Sequence, residues 1–76
     1  MQAVVWSKVD CPYCDKAKAL LKLKGIEYEE RVIGIKWTKE QLLEAVPTAR
    51  SVPQIFVDGL HVGGYDQLKA KLDNEE

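Results

Sequence analysis

The stretch Cys11-Pro12-Tyr13-Cys14 decides the fold, because the rest of the chain can be placed by working outward from it. Before it lies a near-continuous apolar run, Ala3-Val4-Val5-Trp6, of the kind found in strands that are covered on both faces of a sheet. After it, strong helix formers continue as far as Lys24. The sequence therefore predicts a buried strand over residues 2–7, a short loop, and a helix from Pro12 to Lys24.

The two cysteines are spaced to act together at the start of this helix. If Cys11 is the N-cap, Pro12 falls at the first helical position, where its missing N–H removes only a donor that would be unpaired. The sulfur of Cys11 then faces the free N–H groups of the first turn and the positive end of the helix dipole, which favour a thiolate. Cys11 is therefore predicted to be the nucleophile, and Cys14, one turn further in, the resolving thiol.

Two other uses of the cysteine pair are less well supported. A disulfide across so short a ring removes little entropy from the unfolded chain, so it would stabilise the fold weakly. A zinc site would have only these two sulfurs and the single histidine, His61, and would need a second chain or an outside ligand to close. A redox pair is therefore the preferred interpretation, and no metal site is predicted.

Composition and charge narrow the class of protein. The 76 residues suffice for one domain, residues 1–76, and 46% apolar content with three prolines is typical of a globular chain. A net charge of −1 excludes a general attraction to nucleic acid or acidic membrane. Residues 1–6 lack the basic region and the apolar length of a signal peptide, and no segment approaches a membrane span. We expect a cytoplasmic monomer, in a compartment where cysteine pairs are more often catalytic than structural.

The middle of the chain predicts a charged strand and a second helix. Gly25 should end the first helix in a Schellman motif, with Ile26 packing back on Leu21. Residues 27–33 form the strand, whose charged side chains would protect a sheet edge. Thr38 and Gln41 have the spacing of a capping box. We predict a helix that begins there and stops at Pro47.

Trp37 immediately precedes this helix. In that position it can staple onto Leu42. It is therefore predicted to be structural rather than a cofactor-stacking residue.

The last third of the chain predicts a hairpin and a helix. Asp58-Gly59 suits a type I′ turn between strands 54–57 and 60–63, pairing Val57 with Leu60 and Ile55 with Val62. His61, opposite Phe56, is predicted to be a surface histidine rather than a ligand or base. Residues 65–72 form the helix, with Leu68 and Leu72 facing inward, and the charged tail 73–76 is expected to fray.

The predicted order is β-α-β-α-β-β-α. A right-handed crossover makes the first two strands parallel, and the hairpin adds an antiparallel pair. The fold class is therefore α/β, a thioredoxin-like three-layer α/β/α arrangement around a four-stranded mixed sheet.

At this point the chain closely resembles the glutaredoxin family over nearly its whole length. Four features carry the resemblance, in the family's order: Cys11-Pro12-Tyr13-Cys14, Ser51-Val52-Pro53, Asp58-Gly59 and Gly63-Gly64-Tyr65-Asp66. Together they are highly specific, and they are similar to the compact dithiol glutaredoxins of bacteria and phages.

The resemblance implies a glutathione site. It implies a cis peptide bond before Pro53 and pairing of the Val52 backbone with the cysteinyl part of glutathione. The γ-glutamyl carboxylate would take donors where the last helix begins, at Gly64, Tyr65 and Asp66. Asp66 would bind the ammonium group, although an acidic residue in a first turn is as often only a dipole partner. The glycyl carboxylate would meet Lys8, Tyr13 and Arg50.

Some residues depart from the family pattern. Ser51 replaces the usual threonine, and Tyr65 is bulkier than the residue commonly found there, so it is expected to narrow or reshape the groove. Asp10 and Asp15 oppose thiolate formation at Cys11, and Lys8 and Lys16 would have to outweigh them.

The resemblance implies glutathione-dependent reduction of protein disulfides and of protein–glutathione mixed disulfides. Glutathione would be a co-substrate rather than a tightly bound cofactor, and ribonucleotide reductase would be one acceptor. Two alternatives stay open: a redoxin supplied by thioredoxin reductase, and an iron–sulfur cluster carrier that uses Cys11 and glutathione from two chains. Pro12 disfavours the carrier, since cluster-binding relatives tend to have a smaller or more flexible residue there.

Overall fold

The computed structural model describes residues 1–74 and confirms the predicted order of elements. The strands and helices are β1 (Gln2–Ser7), α1 (Pro12–Leu23), β2 (Glu27–Val32), α2 (Lys39–Ala45), β3 (Gln54–Val57), β4 (Leu60–Gly63) and α3 (Tyr65–Asn74). The last helix continues two residues beyond the predicted end at Leu72. Of the tail expected to fray, Asp73 and Asn74 are therefore helical, and Glu75 and Glu76 lie outside the described residues.

The four strands form one mixed sheet in the order β2-β1-β3-β4. β1 runs parallel to β2 and antiparallel to β3, which is antiparallel to β4. The charged strand β2 therefore lies at an edge, as its composition predicts. It ends at Val32, one residue earlier than expected. Ile33 still donates its N–H to Ser7 O at 2.9 Å, but it lies outside the strand and forms an isolated bridge with Trp37.

Successive residues of β1 point to opposite faces of the sheet, as the period of a strand requires. Ala3 and Val5 pack with Leu21 of α1 and Leu68 of α3 in one core cluster. Trp6 packs on the other face with residues of α2, in a second cluster to which the half-buried Val4 also contributes. Helices therefore cover both faces, which confirms the three-layer arrangement and explains why the strand is apolar throughout.

The end of α1 has the predicted Schellman geometry. Gly25 has a φ of +72°, and its N–H donates to Lys22 O at 3.1 Å. The Ile26 N–H donates to Leu21 O at 2.9 Å, and the Ile26 side chain packs on the cluster that contains Leu21. This stop fixes the direction in which the chain enters β2.

The beginning of α2 confirms the capping box of Thr38 and Gln41. Trp37, just before it, packs edge-on against Trp6 with ring centroids 5.2 Å apart, and the guanidinium carbon of Arg31 lies 4.3 Å from the Trp37 ring centroid. Trp37 packs against the second core cluster, which contains Leu42, in agreement with its predicted structural role. Of residues 1–74, no helix is long and apolar enough to cross a bilayer.

The β3–β4 hairpin confirms the type I′ turn, since Asp58 and Gly59 have φ values of 51° and 83°. The predicted pair Ile55–Val62 is wrong. After Phe56 pairs with His61 the register shifts, and Ile55 pairs with Gly63. A bulge at this point lets Val62 pack against the first core cluster without a pairing partner. His61 is exposed, and its Nε2 lies 2.8 Å from Gln54 Oε1, as expected for a surface histidine.

Candidate active site

Cys11 is the N-cap of α1, as predicted, with extended backbone angles (φ −116°, ψ 99°). Its Sγ accepts the backbone N–H of Cys14 at 3.2 Å, and Pro12 occupies the first helical turn. The two sulfurs are joined in a disulfide, with their Cα atoms 5.2 Å apart. Cys11 is 8% exposed and Cys14 only 1%, so Cys11 is the more accessible residue of the pair.

The backbone of Val52 lies beside the Cys11 sulfur. The peptide bond between Val52 and Pro53 is cis, as the family resemblance implied. The Val52 carbonyl oxygen is 3.8 Å from Cys11 Sγ. Apart from this contact, no group within residues 1–74 forms a hydrogen bond with the Val52 N–H or C=O. Both groups are therefore available to an extended peptide laid along them.

A cleft of about 310 Å³ extends from Val52 to the beginning of α3. It brings together six of the predicted binding residues: Tyr13, Val52, Pro53, Gly64, Tyr65 and Asp66. Ser51 and Gln67 also line it. A volume of this size is at the lower end of what a small-molecule ligand usually occupies, about 300 Å³ and upward.

The start of α3 presents unpaired backbone donors to this cleft. Gly64 is the residue before the helix, and its C=O accepts the Leu68 N–H at 3.0 Å. The Gly64 N–H donates to Gln67 Oε1 at 2.9 Å. No side chain of residues 1–74 accepts the N–H groups of Tyr65, Asp66 or Gln67, the first three of the helix. These donors and the helix dipole suit an anionic group.

Two tyrosines stand across one end of the cleft. The rings of Tyr13 and Tyr65 are 6.2 Å apart between centroids and tilted by 41°. Lys16 Nζ lies 5.1 Å from the centroid of the Tyr13 ring. Tyr65 also packs on the first core cluster, so its bulk forms a fixed wall of the cleft.

Lys8 and Arg50 lie in a different place from Tyr13, although all three were predicted around the glycyl carboxylate. They line a second cavity of about 200 Å³ that shares Ser51 and Val52 with the first. Val52 thus lies between two parts of the site. The cleft on the α3 side contains the start of that helix, and the cavity on the α2 side contains the basic residues.

An ion-pair network connects the first turn of α1 to β2. Lys18 Nζ lies 2.8 Å from Glu30 Oε2 and 3.5 Å from Asp15 Oδ1. The fully buried Ser7 donates its hydroxyl to the same Glu30 oxygen at 2.7 Å. The hydrogen bond from Lys18 lowers the pKa of Glu30, and the same bond raises the pKa of Lys18. Lys18 also lies close to Asp15. Its positive charge partly offsets the negative charge of Asp15, which was predicted to disfavour a thiolate at Cys11.

Two residues of this region were missed in the sequence, and each had a signal. Gln67 follows Gly64 at the spacing of a capping box, the same spacing as Thr38 and Gln41. Ser7 is a single hydroxyl at the end of an apolar strand, which requires a partner when buried. Among residues 1–74, no group of three or more His, Cys, Asp or Glu side chains is arranged to hold a metal ion.

Comparison with known proteins places this site in a family. Residues 3–62 match the glutaredoxin family. Glutaredoxin 1 of Rickettsia conorii is 43% identical over 67 residues, which cover 86% of this chain and 66% of that protein. Glutaredoxin 3 of Escherichia coli is 41% identical over 66 residues, covering 87% of this chain and 80% of that protein.

Solved structures agree with this match. Reduced Escherichia coli glutaredoxin superposes with a TM-score of 0.77 at 38% identity, covering 97% of this chain and 95% of that one. A buckwheat glutaredoxin in complex with glutathione gives a TM-score of 0.73 at 30% identity, covering 96% of this chain and 69% of that one. The chain therefore belongs to the glutaredoxin family of glutathione-dependent thiol–disulfide oxidoreductases, with Cys11 and Cys14 as its redox-active disulfide.

Proposed function

We propose that this chain is a cytoplasmic, monomeric reductase of protein disulfides and protein–glutathione mixed disulfides, with glutathione as co-substrate. The observation that carries the proposal is the position of the Cys11 sulfur at the start of α1, 3.8 Å from the Val52 carbonyl oxygen at the edge of the cleft. A substrate sulfur held by the Val52 backbone would lie next to the attacking atom.

In the proposed complex, the cysteinyl unit of glutathione pairs with Val52. The γ-glutamyl carboxylate takes the unpaired N–H groups where α3 begins, and Asp66 faces the ammonium group. The glycyl end extends toward Lys8 and Arg50 on the other side of Val52. The glutathione complex of the buckwheat protein, which has the same fold, supports this assignment.

The reaction begins with attack of the Cys11 thiolate on one sulfur of the substrate disulfide. The Cys11–substrate bond forms, the substrate disulfide breaks, and the other sulfur leaves as a thiolate. Cys14, as thiolate, then attacks Cys11 Sγ, which releases the first substrate sulfur and forms the Cys11–Cys14 disulfide. Two glutathione molecules return the pair to the dithiol and become glutathione disulfide. Two electrons pass from two glutathiones to the substrate.

For a glutathionylated protein, the first step alone is sufficient. Cys11 takes the glutathionyl group, the protein thiolate leaves, and one further glutathione releases Cys11. Cys14 is then dispensable, because the groove rather than the second thiol presents the incoming sulfur. Ribonucleotide reductase is one proposed acceptor of the two-thiol route, by resemblance to the family.

The roles of the two cysteines are tested with Cys11→Ser and Cys14→Ser. Reduction of a small glutathione mixed disulfide, followed by glutathione disulfide production, should be lost in Cys11→Ser and retained in Cys14→Ser. Reduction of a protein disulfide that needs the dithiol should be lost in both variants. Equal loss of both activities in the two variants would reject this division of roles.

The electron donor is tested in the same assay. Replacing glutathione by thioredoxin reductase should give little turnover. Faster turnover with thioredoxin reductase than with glutathione would favour the redoxin alternative instead.

A further inference from the structure

The cavity on the α2 side of Val52 has lining residues besides Lys8 and Arg50, the two that are assigned to glutathione. Besides its basic residues and the shared Ser51 and Val52, the cavity is lined by apolar side chains from three segments: Ile33, Leu42, Leu43 and Ala49. Glutathione ends at its glycyl carboxylate, which the two basic residues would already satisfy. The apolar floor therefore has no role for the tripeptide, whereas a protein chain would continue over it past the substrate cysteine.

The size of this cavity indicates what would fill it. About 200 Å³ is below the range of roughly 300–1,000 Å³ that accommodates a whole small-molecule ligand. One apolar side chain of a polypeptide is a better match. A chain paired with the Val52 backbone would reach the cavity directly, because Val52 lines both it and the cleft beside Cys11.

The rim of the cavity is basic. Lys8, Lys39 and Arg50 line it, no acidic side chain does, and none of the three forms an ion pair with residues 1–74. This concentration of positive charge is local, since the whole chain has a net charge of −1. A segment with an acidic residue close to an apolar one complements such a surface.

We propose that this α2-side cavity binds the polypeptide that carries the substrate cysteine and selects segments with an apolar residue flanked by Asp or Glu. The inference rests on the proposed function and names the substrate class of the two-thiol route. Lys39 and Leu43 are its specificity-determining residues, because neither belongs to the glutathione site.

The test uses Lys39→Glu and Leu43→Gln. Both variants should fold. In Lys39→Glu, a negative charge in the first turn of α2 interacts favourably with the helix dipole, and in Leu43→Gln the substituted residue belongs to neither core cluster. Substrates are two disulfide-linked peptides that share an apolar residue next to the cysteine, one with flanking acidic and one with flanking basic residues. A small glutathione mixed disulfide is the third substrate. Lys36→Glu, an exposed position that does not line the cavity, is the matched control.

The unmodified protein should reduce the acidic peptide with a higher kcat/KM than the basic one. Lys39→Glu should lower kcat/KM for the acidic peptide about fivefold and reverse the preference, while Leu43→Gln should slow both peptides. For the glutathione mixed disulfide, Lys39→Glu should lower kcat/KM less than it does for the acidic peptide, because Lys8 and Arg50 still face the glycyl carboxylate. Leu43→Gln should affect this substrate less than it affects either peptide, and Lys36→Glu should leave the rates with all three substrates unchanged.

The outcomes separate this inference from the proposed function. No preference between the peptides, or the same loss in Lys36→Glu, would overturn the inference while glutathione-dependent activity persists. Failure of the unmodified protein to reduce the glutathione mixed disulfide would overturn the proposed function itself.

Discussion

Helices α2 and α3 each begin with an N-cap residue that is followed three positions later by a glutamine. They differ in the N-cap side chain, which supplies an oxygen in α2 and none in α3. In α2, Thr38 Oγ1 accepts the Gln41 N–H at 3.1 Å, and Gln41 Oε1 accepts the Thr38 N–H at 2.8 Å. In α3, Gln67 Oε1 accepts the Gly64 N–H in the same way, but glycine has no side chain to return the bond. The Gln41 N–H of α2 is therefore satisfied by its own N-cap side chain, whereas the Gln67 N–H of α3 is left free, and in this sense the start of α3 is open.

The difference shows where the fold leaves room for a ligand. A capped helix start gains stability and has fewer free N–H groups to offer an anion. An under-capped start is less stable, but its free N–H groups and dipole are available to an anion. In this chain the open start faces the cleft beside Val52, while Thr38 and Gln41 line neither cavity at the proposed site.

The largest expected effect comes from closing α3. Gly64→Ser would supply the missing oxygen, which would accept the Gln67 N–H and occupy part of the cleft. A Cβ at this position would meet Gln67 Oε1 at 3.3 Å and Pro53 O at 3.6 Å, so only a flexible side chain has to adjust. We expect kcat/KM for a glutathione mixed disulfide to fall about tenfold, the value of one charge-assisted hydrogen bond, and stability in urea to change by only a few tenths of a kcal/mol.

Gly64→Ala distinguishes the effect of the capping oxygen from the effect of the added bulk in the cleft. It adds the same Cβ without the oxygen, so it should retain more activity than Gly64→Ser. An equal loss in the two variants would mean that the cleft is simply obstructed, and that the free donors of α3 are not what binds the substrate.

The converse change in α2 should affect stability alone. Thr38→Ala removes the oxygen that caps this helix, which typically costs about 1 kcal/mol. Urea denaturation should report that loss, while kcat/KM for the glutathione mixed disulfide stays unchanged. Thr38→Ser, which keeps the hydroxyl, should lose much less stability. A fall in activity with Thr38→Ala would show that the two helix starts are not independent.

The sequence predicted most of the fold because its signals are local. The bounds of β1, the stop at Gly25, the box of Thr38 and Gln41 and the turn at Asp58-Gly59 each depend on residues that are neighbours in the chain. The bulge in β4 was missed because it follows from how Val62 packs on the core, which a strand pattern does not encode.

The site was predicted less completely, for a related reason. Motifs marked the residues of the cleft on the α3 side, but the separation of Lys8 and Arg50 from Tyr13 depends on how the loop before Pro53 lies between the helices. The network of Ser7, Lys18 and Glu30 joins three elements of the fold, so no single spacing reveals it.

The third helix start, that of α1, gives the smallest expected effect. Its N-cap is the reactive sulfur, and its first turn is linked through Asp15 and Lys18 to Glu30. Because the pKa of Glu30 is lowered from 4.5 in the folded protein, its pair with Lys18 stabilises the fold above that pH. The stabilisation is lost as the pH falls through the lowered pKa. The pKa of Lys18 is raised from 10.5, so the stabilisation is also lost in strong alkali, as the pH rises through this raised pKa.

Glu30→Gln tests the ion pair between Glu30 and Lys18, since the amide oxygen can still accept a hydrogen bond from the Ser7 hydroxyl but the side chain carries no charge. At neutral pH the variant should be less stable by about 1 kcal/mol or less, as expected for a partly exposed pair. The difference in the free energy of unfolding should shrink as the pH is lowered below 4.5. Glu27→Gln, the same substitution on the same strand at a position without an ion pair among residues 1–74, is the matched control. A difference that is constant down to acid pH would mean that the charge of Glu30 does not stabilise the folded protein.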